Sequence, residues 1–511
     1  MLLVTVLAMV AAACSSGGTE EASTTTAAPS EGTETTTTAA PSEGTETTTT
    51  AAAGDDTEGM TSAERAVAEA QQYSGITLDV TWEAGLQAID PITFSGPLWE
   101  ELTGIKINVV ELDQGAMFSA PVADKLAGGS AFDVVSLFPS AMPDFVSGGV
   151  IDPIDDFVTK YMVQADLDDY HPLYKGLGLY EGKRYGLFDD GDTLIMYYRT
   201  DIFEELGLEV PKTWDELSEV AQTITDAKAP DVYGWATWRN GFNDPAFFQQ
   251  FRSNGGVPFD VDNDMRALIN SPAAILTAEQ MLAQNAAGPP GVESFGVFDA
   301  FASYLEGKLA MTMFWPPLGR WAASYGVEGN ENLSFLPESQ VGGITGYAVM
   351  PGGNGEHAGA FNLSVYSGSD AKEAAYLFIQ WMTSPEISLQ RVQLDTALRD
   401  PYRLSHYDSE EYKSLWPDAA EYLEVLEDAA DVALIDLIIP GATEYNTAID
   451  QAMTAIWAGT DPQAAFDTAA SEWDRITDEI GVDAAREAWL TYLELPGSSV
   501  ETTVKALGLA R

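Results

Sequence analysis

Basic residues are scarce in this chain. Lys and Arg number 24 against 79 Asp and Glu, a formal net charge of −55 over 511 residues. A surface of that sign repels phosphate backbones and anionic headgroups, which excludes nucleic acid and a bare lipid surface as partners. Cysteine occurs once, at Cys14, and histidine three times, at the well-separated His171, His357 and His406. That excludes an internal disulfide, a zinc-ligand spacing and a Cys–His nucleophile pair. There is no Gly-rich phosphate loop and no G-x-S-x-G elbow. No metal, no cofactor and no enzymatic activity are expected. Long apolar runs are missing too: the run at residues 2–13 is too short to span a bilayer.

That run, LLVTVLAMVAAA, ends in small residues just before Cys14. It resembles the lipobox of a bacterial lipoprotein signal, in which the cysteine becomes the new N-terminus and carries a lipid. Two features depart from the pattern: Ala11 stands where leucine is usual, and no Lys or Arg precedes the apolar run. The alternative is a plain cleaved signal. Both place the protein outside the cytoplasm, and the first anchors it by Cys14 to the outer face of the cytoplasmic membrane. Residues 15–59 then contain AAPSEGTETTTT twice in succession, at 27–38 and 39–50. Almost nothing there can pack, so the segment reads as a disordered tether. A flexible coil of its length has a reach of roughly 35–40 Å.

From residue 60 to 511 the texture is that of a folded domain with 45% hydrophobic residues in the chain as a whole. Thr61 and Glu64 form a capping box at the start of a helix, as do Thr213 and Glu216. ITLDVTW alternates as a strand, PLWEELTGIKINVVEL reads as helix then strand, and FDVVSLF is a buried strand. SDAKEAAYLFIQWM is a helix capped by Ser369, and SPEISLQRV one capped by Ser384 with Pro385 at its first position. Strands alternating with helices predict an α/β architecture.

TGIKINVV, FDVVSLFPSAMPDFVSGGVIDPIDDF, YEGKRYGL, MYYRTDIFEELGLEVPKTWDEL, FASYLEGKLAMTMFW and DAKEAAYLFIQWMTSPE follow one another in an order that resembles the extracellular solute-binding proteins of ABC importers, the class that includes maltose- and other sugar-binding proteins. The resemblance implies a two-lobed, type II periplasmic-binding-protein-like α/β fold. Lobe one would take about 75–188 and 358–396, lobe two about 193–350 and 400–495. The chain would cross the hinge near 188–193, 350–358 and 395–402, where Gly and Pro suit segments that change backbone angles.

The stretch YGLFDDGDTLIMYYR crowds Asp189, Asp190 and Asp192 just before an apolar run. In the family this segment floors the cleft, so Asp190 and Asp192 are candidate ligand contacts: an ionised carboxylate accepts from sugar hydroxyls. Aromatic rings would cover the C–H face of such a ligand. Trp238, Trp315 and Tyr445 match stacking positions of relatives; Trp82, Glu83, Trp235 and Ser140 are further candidates. Trp214, Trp381, Trp473 and Trp489 sit among apolar neighbours at helical positions and read as core. Arg239 and Arg399 read as surface or hinge ion-pair residues.

The expected function is capture of a sugar, polyol or oligosaccharide by lobe closure, and delivery by a monomer to ABC permease subunits. Acidic and aromatic residues together would also describe a cage for a cation such as a polyamine. Two carboxylates beside aromatics would suit a glycoside-active enzyme, but the ordered segments are those of a binder.

Overall fold

The alternation that marks ITLDVTW as a strand has a direct structural cause. In β1 (Thr77–Glu83), Leu78, Val80 and Trp82 project into one core and are inaccessible to solvent. The computed structural model describes residues 59–352 and 356–502, so Cys14 and nearly all of the expected tether lie outside the described residues. β2 (Lys106–Leu112) lies parallel to β1, as does the fully buried β3 (Val134–Leu137). β4 (Gly186–Phe188) ends the run of strands before the chain leaves this sheet.

Four strands then build a second sheet. They are β5 (Ile195–Arg199), β6 (Tyr233–Trp235), β7 (Leu309–Phe314) and β8 (Thr345–Ala348). The chain returns to the first sheet with β9 (Asn362–Val365), antiparallel to both β3 and β4. The orders are β2-β1-β3-β9-β4 and β8-β5-β7-β6. This is the expected two-lobed α/β arrangement.

Each sheet is covered according to its sequence pattern. Leu78, Val80, Leu187, Leu363 and Val365 face a core shared with the helix Lys372–Thr383 and the N-terminal helix Ser62–Ala70. Val135 and Leu137 face the opposite side, against Phe145, Tyr185 and Tyr366. The second sheet lies in a larger core with the helices Trp214–Lys228, Asn243–Ser253 and Ala419–Val432, and with the C-terminal helices Ala442–Trp457, Pro462–Ile480 and Val482–Tyr492. Trp214, Trp381, Trp473 and Trp489 are all buried in these cores.

Helix starts follow their caps with two adjustments. The Thr61–Glu64 and Thr213–Glu216 capping boxes both form. The third expected helix begins only at Lys372, because the Ser369 hydroxyl accepts from Ala371 N and bonds Asp133, fixing a turn before the helix. Ser384 precedes Pro385 as expected, yet its hydroxyl donates back to Trp381 O.

Passages between the sheets run through 189–194, 349–361 and 393–403. The first and third are pressed together. Gly191 N donates to Asp400 O at 3.1 Å, and a Cβ at Gly191 would lie 1.8 Å from Pro401 O. Only glycine fits there.

Candidate functional site

The crowded carboxylates meet guanidinium groups. Asp189 accepts from Arg391 Nη2 at 3.0 Å, while Arg391 Nε donates to Asp90 at 2.6 Å. Asp190 accepts from Arg399 Nη1 at 2.7 Å and, through its other oxygen, from Asp400 N at 2.9 Å. Asp400 accepts from Arg320 Nη2 at 3.0 Å. All seven of these side chains are buried apart from a trace of Asp90. Arg320, from the helix Pro317–Ala322 in lobe two, also donates to Val392 O and Ala397 O, so it clasps the third passage. The network ties lobe one, the hinge and lobe two into one electrostatic unit.

Burial is the largest influence on these acids. It pushes Asp190 up to about 6 against the pull of Arg399, with Asp189 adding to the rise. Asp400 rises to about 8, opposed by Arg320 and helped by Asp190. Asp192 goes well above the usual carboxylate range through burial and the neighbouring Asp190 and Asp400. Asp190, Asp192 and Asp400 each offer an oxygen within 4.8 Å of the others. Two of the three already hold a guanidinium, so most of the charge that would draw a metal ion is met.

Arg399 also joins the acids to aromatic rings. Its guanidinium lies 5.2 Å from the ring of Trp82 and 5.2 Å from that of Phe361, and it donates to Gln87. Glu83, at the end of β1, is half-buried and raised by burial, with Arg399 pulling it down and Asp190 pushing it up. Trp82 and Glu83 therefore gather with Asp190 around Arg399. Asp192, on the first passage, keeps partial exposure.

The second group sits across the hinge. Trp238 and Trp315 stack at 4.6 Å and 10°. Trp238 is inaccessible, its indole donating to Phe242 O at 2.8 Å, whereas Trp315 remains partly exposed. β5 and β7 pair antiparallel with Ile195 opposite Phe314. One further step of that register sets Trp315 across from Leu194, two residues from Asp192. Tyr197 fixes the turn by donating to Trp315 O at 3.0 Å. Trp235 is buried in β6, its indole nitrogen without a hydrogen-bond partner.

Two candidates stand apart from these groups. Tyr445 packs in the C-terminal core, 5.5 Å from Phe259 and 4.7 Å from Trp473, and bonds the Thr477 hydroxyl at 2.9 Å. Ser140 is buried in the turn Pro139–Ala141, which lies beside the helix Ala442–Trp457 of lobe two. Nearby, Gly441 N donates to the Asp144 carboxylate at 3.2 Å, so the lobes touch at this point.

The two arginines part company. Arg399 is a hinge ion-pair residue. Arg239 is not on the surface: it is buried against Trp457, bonded to Asn285 and Trp238 O, with no carboxylate in ion-pair range among the described residues. Burial lowers it to about 9. Arg320, Arg391, Asp400, Gln87 and Phe361 belong to the network although they were not singled out in the sequence. Arg399 was read as a hinge ion-pair residue, whereas the segment 398–401 that also carries Asp400 was read only for backbone flexibility.

Residues 57–388 match the bacterial extracellular solute-binding protein family. The chain belongs to this family. A probable amino-acid ABC transporter periplasmic-binding protein of Sinorhizobium fredii is 24% identical over 390 residues, 71% of this chain and 82% of its own length. Among solved structures, an ABC transporter solute-binding protein from Agrobacterium radiobacter in complex with ribitol superposes with a TM-score of 0.67 at 23% identity, over 79% of this chain and 99% of that one. Another, from Agrobacterium vitis with bound D-mannitol, gives 0.65 at 25% identity, over 80% and 99%. These relatives are binding proteins, and as a family member this chain is an extracellular solute-binding protein. Among the described residues no helix is long and apolar enough to cross a membrane.

Proposed function

We propose that this solute-binding protein captures a sugar, polyol or oligosaccharide between its lobes and delivers it to an ABC permease, held near the membrane by a lipid on Cys14. The observation that carries the reading is the convergence on the hinge of two partly exposed carboxylates, Glu83 from lobe one and Asp192 from the first passage, with the partly exposed Trp315 on the lobe-two side. Carboxylates accept from hydroxyl groups and the indole face covers C–H groups, which together match a polyhydroxyl ligand. Trp82, Asp190, Trp235 and Trp238 then act from behind as the packed wall that holds those groups. Ser140 would contribute where the lobes meet, while Tyr445 acts only as packing in the C-terminal core behind that contact. The ribitol and mannitol complexes of the two similar structures support this class; the amino-acid relative makes amino acids the natural counter-screen.

Closure follows from differential affinity. A ligand favours the closed form only as far as contacts from both lobes exceed those available to the open form. Calorimetric titration with ribitol, mannitol, maltose, glutamate and spermidine tests the class. A neutral polyol or sugar binding near micromolar, about −8 kcal/mol, is the expected result. Binding of glutamate or spermidine alone would overturn it. Trp315→Ala is expected to weaken the hit at least tenfold while leaving thermal unfolding nearly unchanged.

A further inference from the structure

The inner cluster has more acid than base. Asp190, Asp192 and Asp400 stand within 4.8 Å of one another, while Arg399 and Arg320 are the cations that reach them. Asp190 has both oxygens engaged. Asp400 gives one oxygen to Arg320, and its Oδ2, fully buried, has no donor. Asp192 has no Lys or Arg within ion-pair distance among the described residues. Two carboxylates, the buried Asp400 and the partly exposed Asp192, thus stand together with one charge too many, an arrangement that like-charge repulsion and the burial of Asp400 disfavour in the fully ionised form.

We propose that Asp192 and Asp400 hold one solvent-derived proton between them, which takes one negative charge off the cleft floor and so suits it better to an uncharged ligand than the fully ionised cluster would. With that proton in place three carboxyl groups carry two negative charges against two guanidiniums. The groups around the pair act in the same direction. Behind it, Asp90 and Asp189 share Arg391, Asp189 also draws on Arg399 at 3.5 Å, and Glu83 adds another acid near Asp190, so carboxylates outnumber guanidiniums around the pair. Tyr174, Tyr197, Tyr407, Tyr412 and Tyr422 face Asp400 from the surrounding elements, and burial pushes every one of them up, so they stay neutral. Burial likewise drives Asp400 to about 8 and Asp192 well above its ordinary range. The shared proton also joins the first passage to the third, beside the close approach of Gly191 to Pro401.

The consequence for specificity rests on the proposed function, but the proton itself does not, and the first test needs no ligand. Infrared spectra of the intact chain at pH 6 and pH 9 should show a neutral carboxyl carbonyl band that fades at the higher pH. The band should be weaker by one group in Asp192→Asn at pH 6. In urea, Asp192→Asn should lose part of the decline in stability that the wild type shows between those pH values. Equal neutral-carboxyl absorption in wild type and variant would overturn the proposal. So would stabilisation of the wild type, but not Asp192→Asn, by magnesium or calcium, which would put a cation where the proton is placed. If Asp192→Asn fails to fold, the wild-type pH titration decides: a neutral carboxyl band unchanged from pH 6 to 9 sinks the proposal. Mannitol and spermidine binding at both pH values then reads the consequence, with spermidine gaining at least tenfold at pH 9. If the infrared result holds and no polyol or sugar binds, the ligand class is wrong and the shared proton stands.

Discussion

Arg391 reaches Asp90 with one nitrogen and Asp189 with another, and no part of it meets solvent. A buried ion network of this kind adds little net stability over an apolar packing, because desolvation consumes most of the Coulomb gain. Breaking it is another matter. Arg391→Ala leaves Asp90 buried without its cation and Asp189 with only the longer 3.5 Å contact to Arg399, and the expected loss is about 3–5 kcal/mol in urea denaturation at pH 7. A loss below about 1 kcal/mol would mean that water enters the network and that its groups are solvated. Trp238 makes the matching point for rings. Its indole is buried and stacked on Trp315. Trp238→Ala should therefore cost about 3–5 kcal/mol of stability as well as ligand affinity, whereas the partly exposed Trp315 should affect affinity first.

At the scale of elements, the passages between the lobes matter most. Gly191 carries no side chain because Pro401 O occupies the space where one would go. Gly191→Ala would force the first and third passages apart, and overpacking of this kind costs typically about 1–3 kcal/mol. The urea midpoint should fall, and the ligand should bind more weakly than in a Gly207→Ala control, since Gly207 has open space around its Cβ position although its φ of +65° carries its own strain. An unchanged midpoint in Gly191→Ala would show that the two passages can separate freely. This is also where sequence reading reached its limit. Strands with period-two burial, such as β1, and helices with capping boxes, such as Trp214–Lys228, were legible because the signal lies within a few residues. The aspartates at 189–192 were legible as a place of chemistry. Their partners were not. Arg391 and Arg399 lie about 200 residues away, and only the return of the third passage across the hinge puts them there. Tyr445 illustrates the converse: the family resemblance put it among the stacking rings, but Gly441 starts a helix that turns the ring into the core.

For the whole molecule, two kinds of buried group give the pH dependence of stability opposite signs. His406 is fully buried and held well below its ordinary range, by burial first and then by Arg403 and Arg391. The unfolded chain takes up that proton below about 6.5 and the folded chain does not, so this contribution is lost as pH falls. Asp400 runs the other way. Its folded value near 8 lies above the unfolded value of about 3.9, so the folded chain keeps a proton that the unfolded chain has given up. Stability from this group is whole below about pH 4 and declines as pH rises to about 8. Between about 6.5 and 8 the histidine no longer opposes the acids, and the urea midpoint should fall steadily, flattening above. The overall charge of −55 adds self-repulsion over the same range, and salt separates the two effects. Sodium chloride at about 0.5 M shrinks the Debye length to a few ångströms and should raise the melting temperature by screening the surface. It should leave the slope between pH 6.5 and 8 largely intact, because Asp400 is fully buried and solvent ions do not reach it. If salt abolished the slope as well, the decline would belong to the acidic coat and not to the hinge.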